Sequence, residues 1–243
     1  MNFYAVIIGT EILNGRRFDK HFEFLKDELG KYGHSLFASL VIKDDRELIT
    51  KTYEMVKSDP KSVMFSFGGI GSTPDDLTRE IASKVFRNSQ TKVHKEFLED
   101  ILERFGDEAY PHRIHMAEIP PNSDLLFNPV NNMSGFSLDD RYFFTPGFPS
   151  MAHPMLTAAI ERHFSKTKKL FRKTLYAHTS ENSLISVMQK IPEHIELSSL
   201  PIFSEGKPNV ELSLLGADKK ELEHYFALFI EELDRQKVQY KLM

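Results

Sequence analysis

The sequence has 243 residues, 41% of them hydrophobic and 27% charged, the composition of a folded protein able to bury an ordinary core and long enough for two domains of common size. Its 31 basic and 35 acidic side chains leave a formal charge of −4, so no overall positive field is available to hold a nucleic-acid backbone, and DNA or RNA is not an expected partner. Cysteine is absent, which excludes disulfides, thiolate nucleophiles and Cys-based metal sites and leaves oxygen or imidazole as the ligands for any metal.

The apolar run Phe3 to Ile8 is too short for a signal-peptide core or a membrane span, and it reads as a buried first strand. No later segment approaches the roughly 20 apolar residues of a membrane helix, so a cytoplasmic location is expected by elimination. Phe18, Phe22, Leu25 and Leu29 recur at helical spacing before Gly30 and Gly33, and Ser35 to Ile42 is a second strand. Asp44 and Asp45 can cap a helix carrying Leu48, Ile49, Met55 and Val56 inward. Ser62 to Phe67 is almost wholly apolar, as a central parallel strand covered on both faces should be. Leu77, Ile81 and Val85 then mark one helix, and Val93, Phe97, Ile101 and Phe105 another.

After a looser stretch, Leu125 to Phe127 reads as a strand, and Phe136 to Leu138 with Tyr142 to Phe144 as a hairpin across Asp139-Asp140-Arg141. Pro146-Gly147-Phe148-Pro149 is a rigid turn before a helix from about Met151 to Phe164. The basic stretch Lys166 to Lys169 reads as a solvated connection, with a domain boundary near 167. The remainder predicts a strand (Phe171 to His178), a helix (Glu181 to Lys190), two strands (Ile195 to Ser199, Asn209 to Leu215) and a helix (Lys219 to Arg235), an α+β module. Strand and helix alternate in the first part, which predicts a mostly parallel sheet between two layers of helices.

Two turns leave the C-terminal ends of predicted parallel strands, the edge at which open α/β sheets bind ligands. In Gly68-Gly69-Ile70-Gly71-Ser72-Thr73-Pro74-Asp75-Asp76, glycines admit close backbone approach, Ser72 and Thr73 can donate to phosphate oxygens, and Asp75 and Asp76 can hold a divalent cation bridging to them. Ordinary helix-start chemistry accounts for the same letters, with Ser or Thr as cap, Pro74 at the first helical position and acids in the first turn. The second turn, Gly9-Thr10-Glu11-Ile12-Leu13-Asn14-Gly15, places Glu11 where it can orient a hydroxyl, a pterin or a metal-bound water, although a solvated role is equally ordinary. His112 and His115 are too sparse a pair for a metal site, the histidines read as surface residues, and no Gly-x-Ser-x-Gly elbow supports a serine hydrolase.

Four separated segments carry a family resemblance: Gly9 to Leu13 with Gly15, the Gly68 to Asp76 turn with Thr78, Asn128-Pro129-Val130 followed by Gly135-Phe136, and Pro146-Gly147-Phe148-Pro149-Ser150. In this order they resemble the molybdopterin-binding (MoaB/Mog-like) superfamily, and within it the N-terminal portion of CinA-like, competence/damage-inducible proteins. The resemblance implies a three-layer α/β/α domain over residues 1–167 and a small α+β domain of CinA type over 168–243, without the nicotinamide-mononucleotide deamidase domain found C-terminal in full-length relatives. It implies a molybdopterin or nucleotide ligand and a cytoplasmic homo-oligomer, with no nucleic-acid or membrane partner. Gly68, Gly69, Gly71, Ser72, Thr73 and Thr78 would bind phosphate, Gly9, Thr10 and Glu11 would line the cleft, and Pro146 and Gly147 would shape its far wall. Asp75 and Asp76 would hold Mg²⁺ or a transition metal, or act with Glu11 in hydrolysis of a nucleotide diphosphate such as ADP-ribose. Binding without turnover, and an idle site on an assembly module, remain open beside that reading. The sequence departs from the family pattern at Ser72, where Pro is usual, at His21, where Asn is usual, and at His115-Met116-Ala117, where Lys-Gln-Ala is common.

Overall fold

The computed structural model of the protein describes residues 1–166, 169–204 and 206–243. The chain divides into two compact units, 1–167 and 168–243. The junction at 167 and 168, and with it the middle of the expected basic connection, lies outside the described residues.

The first unit opens with β1 (Asn2–Ile8), α1 (Thr10–Leu13), α2 (His21–Gly30), β2 (Leu36–Ile42), α3 (Arg46–Ser58), β3 (Ser62–Phe67) and α4 (Thr78–Arg87). It continues with β4 (Lys92–Val93), α5 (Lys95–Phe105), β5 (Glu118–Ile119), β6 (Asp124–Leu126), β7 (Gly135–Leu138), β8 (Tyr142–Thr145) and α6 (Pro149–Phe164). Six strands form one sheet in the order β2-β1-β3-β8-β7-β6. The pairings among β2, β1, β3 and β8 are parallel, and β7 and β6 add antiparallel strands at one edge.

Alternation along each strand explains the three layers, because successive side chains point to opposite faces. Tyr4, Val6 and Ile8 of β1 face a core closed by Ile49, Tyr53 and Val56 of α3 and Ile81 and Val85 of α4. Phe3, Ala5 and Ile7 face the opposite core, closed by Leu25 and Leu29 of α2 and Leu156 and Ile160 of α6. All six residues of β3 are buried, as two-sided coverage requires. The hairpin between β7 and β8 turns on Asp139 (φ 57°) and Asp140 (φ 51°), the left-handed pair a tight hairpin favours. Arg87 at the end of α4 donates from both Nη atoms to the Asp139 carboxylate at 2.9 Å, pinning that turn.

Several residues assigned inward from periodicity alone lie outside. Phe18, 90% exposed, precedes α2 altogether, and Phe22, Leu48, Met55 and Val93 are also exposed. Each sits one turn before, or to the side of, the stripe that meets the sheet, a distinction spacing does not carry. Among the described residues no helix is long and apolar enough to cross a membrane.

The second unit contains β9 (Phe171–Ala177), a 3₁₀ turn (Glu181–Leu184) running into α7 (Ile185–Met188), β10 (Glu196–Ser204), β11 (Lys207–Gly216), α8 (Lys219–Arg235) and β12 (Tyr240–Leu242). Its antiparallel sheet has the order β10-β11-β9-β12. Leu222, Phe226, Phe229 and Leu233 of α8 pack on Leu175, Val210, Leu212 and Leu214. Asp218 caps α8 by accepting from the amides of Lys220 and Glu221. The helix expected over Glu181 to Lys190 is two short turns, and β12 was not legible as a strand because only three residues at the chain end form it.

Candidate functional site

The parallel strands end together, and Gly68 is where three of those ends meet. It has φ +95°, and a Cβ placed on it would lie 2.4 Å from the carbonyl oxygen of Ile8 at the end of β1. Its amide donates to Thr145 O at the end of β8 (2.9 Å), and Gly147 packs against its Cα. Only glycine satisfies both the backbone conformation and the closeness of approach.

Beyond Gly68 the chain does not enter a helix at once. Ser72, Thr73 and Pro74 lie in a loop, and α4 begins only at Thr78, so the helix-cap reading of these residues does not hold. Thr78 is fully buried and fastens the turn from below: its amide donates to Gly69 O (3.0 Å) and its hydroxyl to Gly68 O (2.9 Å). Thr78, expected to bind phosphate, spends its hydroxyl and its amide on the turn itself. Among the described residues, the amides of Gly69, Ile70, Gly71 and Ser72 have no protein partner. The backbone that carries these amides is bent through positive φ at Gly68 and Gly69.

Asp75 and Asp76 turn back on this loop. The Thr73 hydroxyl lies 2.5 Å from Asp75 Oδ1 and 2.7 Å from Asp76 Oδ2, and the Thr73 amide donates to the same Asp76 oxygen (2.8 Å). The Thr73 hydrogen bond holds the Asp75 carboxyl below its ordinary range. Among the described residues no three His, Asp or Glu side chains gather as a metal cluster. Asp75 and Asp76, expected to hold a cation that bridges to phosphate, lie together on Thr73 with no third acid or imidazole gathered beside them among the described residues.

The first turn is differently built. Gly9 is extended rather than left-handed (φ 177°), and its amide donates to Ile42 O (3.0 Å). Thr10 uses both its amide and its hydroxyl on Asp44 Oδ2, each at 2.8 Å, so Thr10 and Asp44 tie the loops after β1 and β2 together. Glu11 lies over Gly9 and reaches Arg17 at 3.9 Å, a partly exposed pair of small energetic weight.

Two clefts flank the glycine turn. One of about 690 Å³ is lined by Ser72, Thr73 and Pro74 and by Arg79, Glu108, Tyr110, His112, Arg113 and His115, with Arg113 Nη1 paired to Glu108 Oε2 at 3.2 Å. Arg79 bonds to Gly71 O through Nη1. Burial pushes its guanidinium down from its ordinary value while Asp76 and Glu118 pull it back up, and it stays charged at neutral pH. Arg113 sits over the Phe105 ring at 4.5 Å. The other cleft, of about 310 Å³, is lined by Glu11, Ile12, Arg17, Phe18, His21, Gly147 and Phe148, among others.

The probable molybdopterin-binding domain model ("Probable molybdopterin binding domain") matches residues 4–166, which is the whole of the three-layer unit. The chain belongs to this family. A CinA-like protein of Nostoc punctiforme is 31% identical over 162 residues, covering 64% of this chain and 38% of that protein. A CinA-like protein of Flavobacterium psychrophilum is 26% identical over 250 residues, covering 96% of this chain and 58% of its own length. The chain thus spans well under two thirds of the length of these relatives. A solved structure of the protein CinA from Thermoplasma acidophilum, described as of unknown function, superposes with a TM-score of 0.60 at 27% identity, covering 66% of this chain and 96% of that one.

Within this molybdopterin-binding domain, the departures from the family pattern acquire physical meaning. His115 lies in the larger cleft together with Arg79 and Arg113, the latter paired with Glu108. Sequence reasoning missed both arginines, since neither lies in a recognisable motif. His21, read as a surface residue, is buried (3% exposed) and stacks on Phe67 with centroids 4.0 Å apart. Its Nε2 faces Gly147 O at 3.3 Å and its Nδ1 faces His153 Nε2 at 3.2 Å. A carbonyl accepts only, so His21 donates through Nε2–H and accepts at Nδ1 from His153, with both rings neutral. Burial lowers both rings, His153 to about 4.

Proposed function

We propose that the N-terminal unit binds a phosphate-bearing pterin or nucleotide, with its phosphate on the turn Gly68 to Asp76. The observation that carries this reading is the run of amides from Gly69 to Ser72 without a partner among the described residues, which leads at Ser72 into a cleft that also holds Arg79 and Arg113. Amides in a left-handed turn supply oriented donors, and Arg79 and Arg113 supply the charge that oriented donors alone lack. Ser72 adds a hydroxyl that is free to rotate. The family membership supports a pterin as the heterocycle.

Hydrolysis of a nucleotide diphosphate such as ADP-ribose is the enzymatic form of the same reading. It would need a cation held by Asp75 and Asp76, each of which keeps one carboxylate oxygen off Thr73, or Glu11 to orient a water. Binding is therefore the conclusion and turnover the question asked of it. Titration calorimetry with ADP and with pyrophosphate, repeated on Arg113→Ala and Arg79→Met, tests the seat. Each substitution is expected to weaken pyrophosphate about tenfold, the order of a lost charge-assisted hydrogen bond. Undiminished affinity in both variants would remove the basic cleft from the site. Incubation of ADP-ribose with Mg²⁺, Co²⁺ or chelator reads AMP release, and Asp76→Asn identifies whether that acid takes part.

A further inference from the structure

We propose that Phe18 and Phe148 form a slot that stacks the planar ring of the phosphate-bearing ligand. The inference rests on the binding reading above and names the part of the ligand that the smaller cleft receives. Phe18 is 90% exposed and Phe148 is 52% exposed, and both line the same cleft from different loops, one after β1 and one after β8. Single exposed apolar residues are ordinary, but two large flat rings facing one concavity next to an anion seat are the usual composition of a ligand site.

Local structure holds both backbones and leaves the Phe18 ring exposed. Asp19 accepts from the amides of His21 (2.8 Å) and Phe22 (3.1 Å), so the segment bearing Phe18 is fixed at the start of α2. Phe148 is followed directly by Pro149, the first residue of α6, and preceded by Gly147, whose carbonyl faces buried His21. The Arg17 guanidinium lies over the Phe148 ring, 5.4 Å from its centroid. Among the described residues Phe18 stacks on no other aromatic ring, so nothing in the unit occupies its face.

The size of the cleft decides what enters. At about 310 Å³ it lies at the small end of the roughly 300–1,000 Å³ of ligand clefts, enough for a bicyclic heterocycle. Because Gly147 packs on Gly68, the slot opens beside the first residue of the glycine turn, and a ring held there leaves its phosphate chain to run over the free amides. Aromatic faces stack any flat heterocycle, so the slot supplies affinity for the ring without choosing between pterin and purine.

Calorimetry on wild type, Phe18→Leu and Phe148→Leu with three probes tests this: ADP, pyrophosphate, which has no ring, and neopterin, which has no phosphate. Leucine preserves apolar bulk and removes the flat face, and thermal melting of both variants should match wild type because both rings are exposed. ADP and neopterin are expected to weaken about tenfold in each variant, the order of one lost stack, with pyrophosphate unchanged. ADP and neopterin binding unchanged in both variants would overturn the slot while leaving the glycine turn as the anion seat. Failure of wild type to bind pyrophosphate or ADP would overturn the anion reading instead. The slot is then judged on neopterin alone: a tenfold loss in the variants upholds it, and no binding or no loss overturns it.

Discussion

The two glycine-bearing loops of the first unit leave neighbouring parallel strands at the same edge of the sheet, yet they are built on opposite plans. In the loop after β1 the donors are already committed: Gly9 N to Ile42 O, Thr10 N to Asp44, Ile12 N to Gly9 O and Asn14 N to Thr10 O. In the loop after β3 the amides from Gly69 to Ser72 are free, and the fastening is done from beneath by buried Thr78. Glycine letters alone do not make an anion seat. What makes one is a turn whose backbone is stabilised from the side opposite its free donors, so that those donors need not be spent on folding.

The comparison breaks most sharply at its glycines. Gly68→Ala forces a Cβ to 2.4 Å from Ile8 O on left-handed backbone, whereas Gly15, at φ +76°, has nothing within 4 Å of the same added atom. Urea denaturation should show a loss of about 3 kcal/mol or more for Gly68→Ala, against about 1 kcal/mol for Gly15→Ala, the left-handed penalty by itself. Equal losses would mean that packing at Gly68 relaxes freely and that the junction of three strand ends is softer than its geometry implies.

A smaller effect is expected beneath the turn. Thr78→Val keeps the shape of a buried side chain and removes its hydroxyl bond to Gly68 O, and should cost about 1–3 kcal/mol while also weakening pyrophosphate. Loss of stability with unaltered pyrophosphate binding would separate the fastening of the turn from its donors.

The smallest expected effect is a pH dependence behind the loop after β8. His153 has its pKa lowered from 6.5 to about 4, by burial first and by His21 second, with Lys20 lowering it further and Asp19 opposing. The unfolded chain takes up this proton near pH 6.5 and the folded chain does not until about pH 4, so stability falls as pH drops through that window and is fully present above it. His153→Phe, which preserves the stack on Phe24, should flatten the slope of stability against pH between about 6.5 and 4. An unchanged slope would exclude the pair as its source.

Much of the fold is legible in the sequence. Ser62 to Phe67 is apolar at every position because it is covered on both faces, and the run states as much. The hairpin over Asp139 to Arg141 was legible because two acidic residues between apolar runs suit positive φ. Phe18 and Val93 were misplaced because periodicity fixes a stripe and not where its helix begins. The family resemblance places Thr10 and Thr78 at the ligand site, and a residue match carries no mark of which way a hydroxyl points: in the folded unit one faces Asp44 and the other lies under Gly68.

The sequence by itself determined the layers and the family-bearing loops, since hydrophobic period and turn residues are local properties that survive without contacts. Tertiary structure alone decided which donors are free, that Asp75 and Asp76 converge on Thr73, and that Arg79, Arg113, Phe18 and Phe148 face the clefts. Those outcomes depend on atoms brought together from β1, β3, β8 and the segment after α5, tens of residues apart along the chain. The closeness of Gly68 to Ile8 and Gly147 that sets them exists only once the strands have paired.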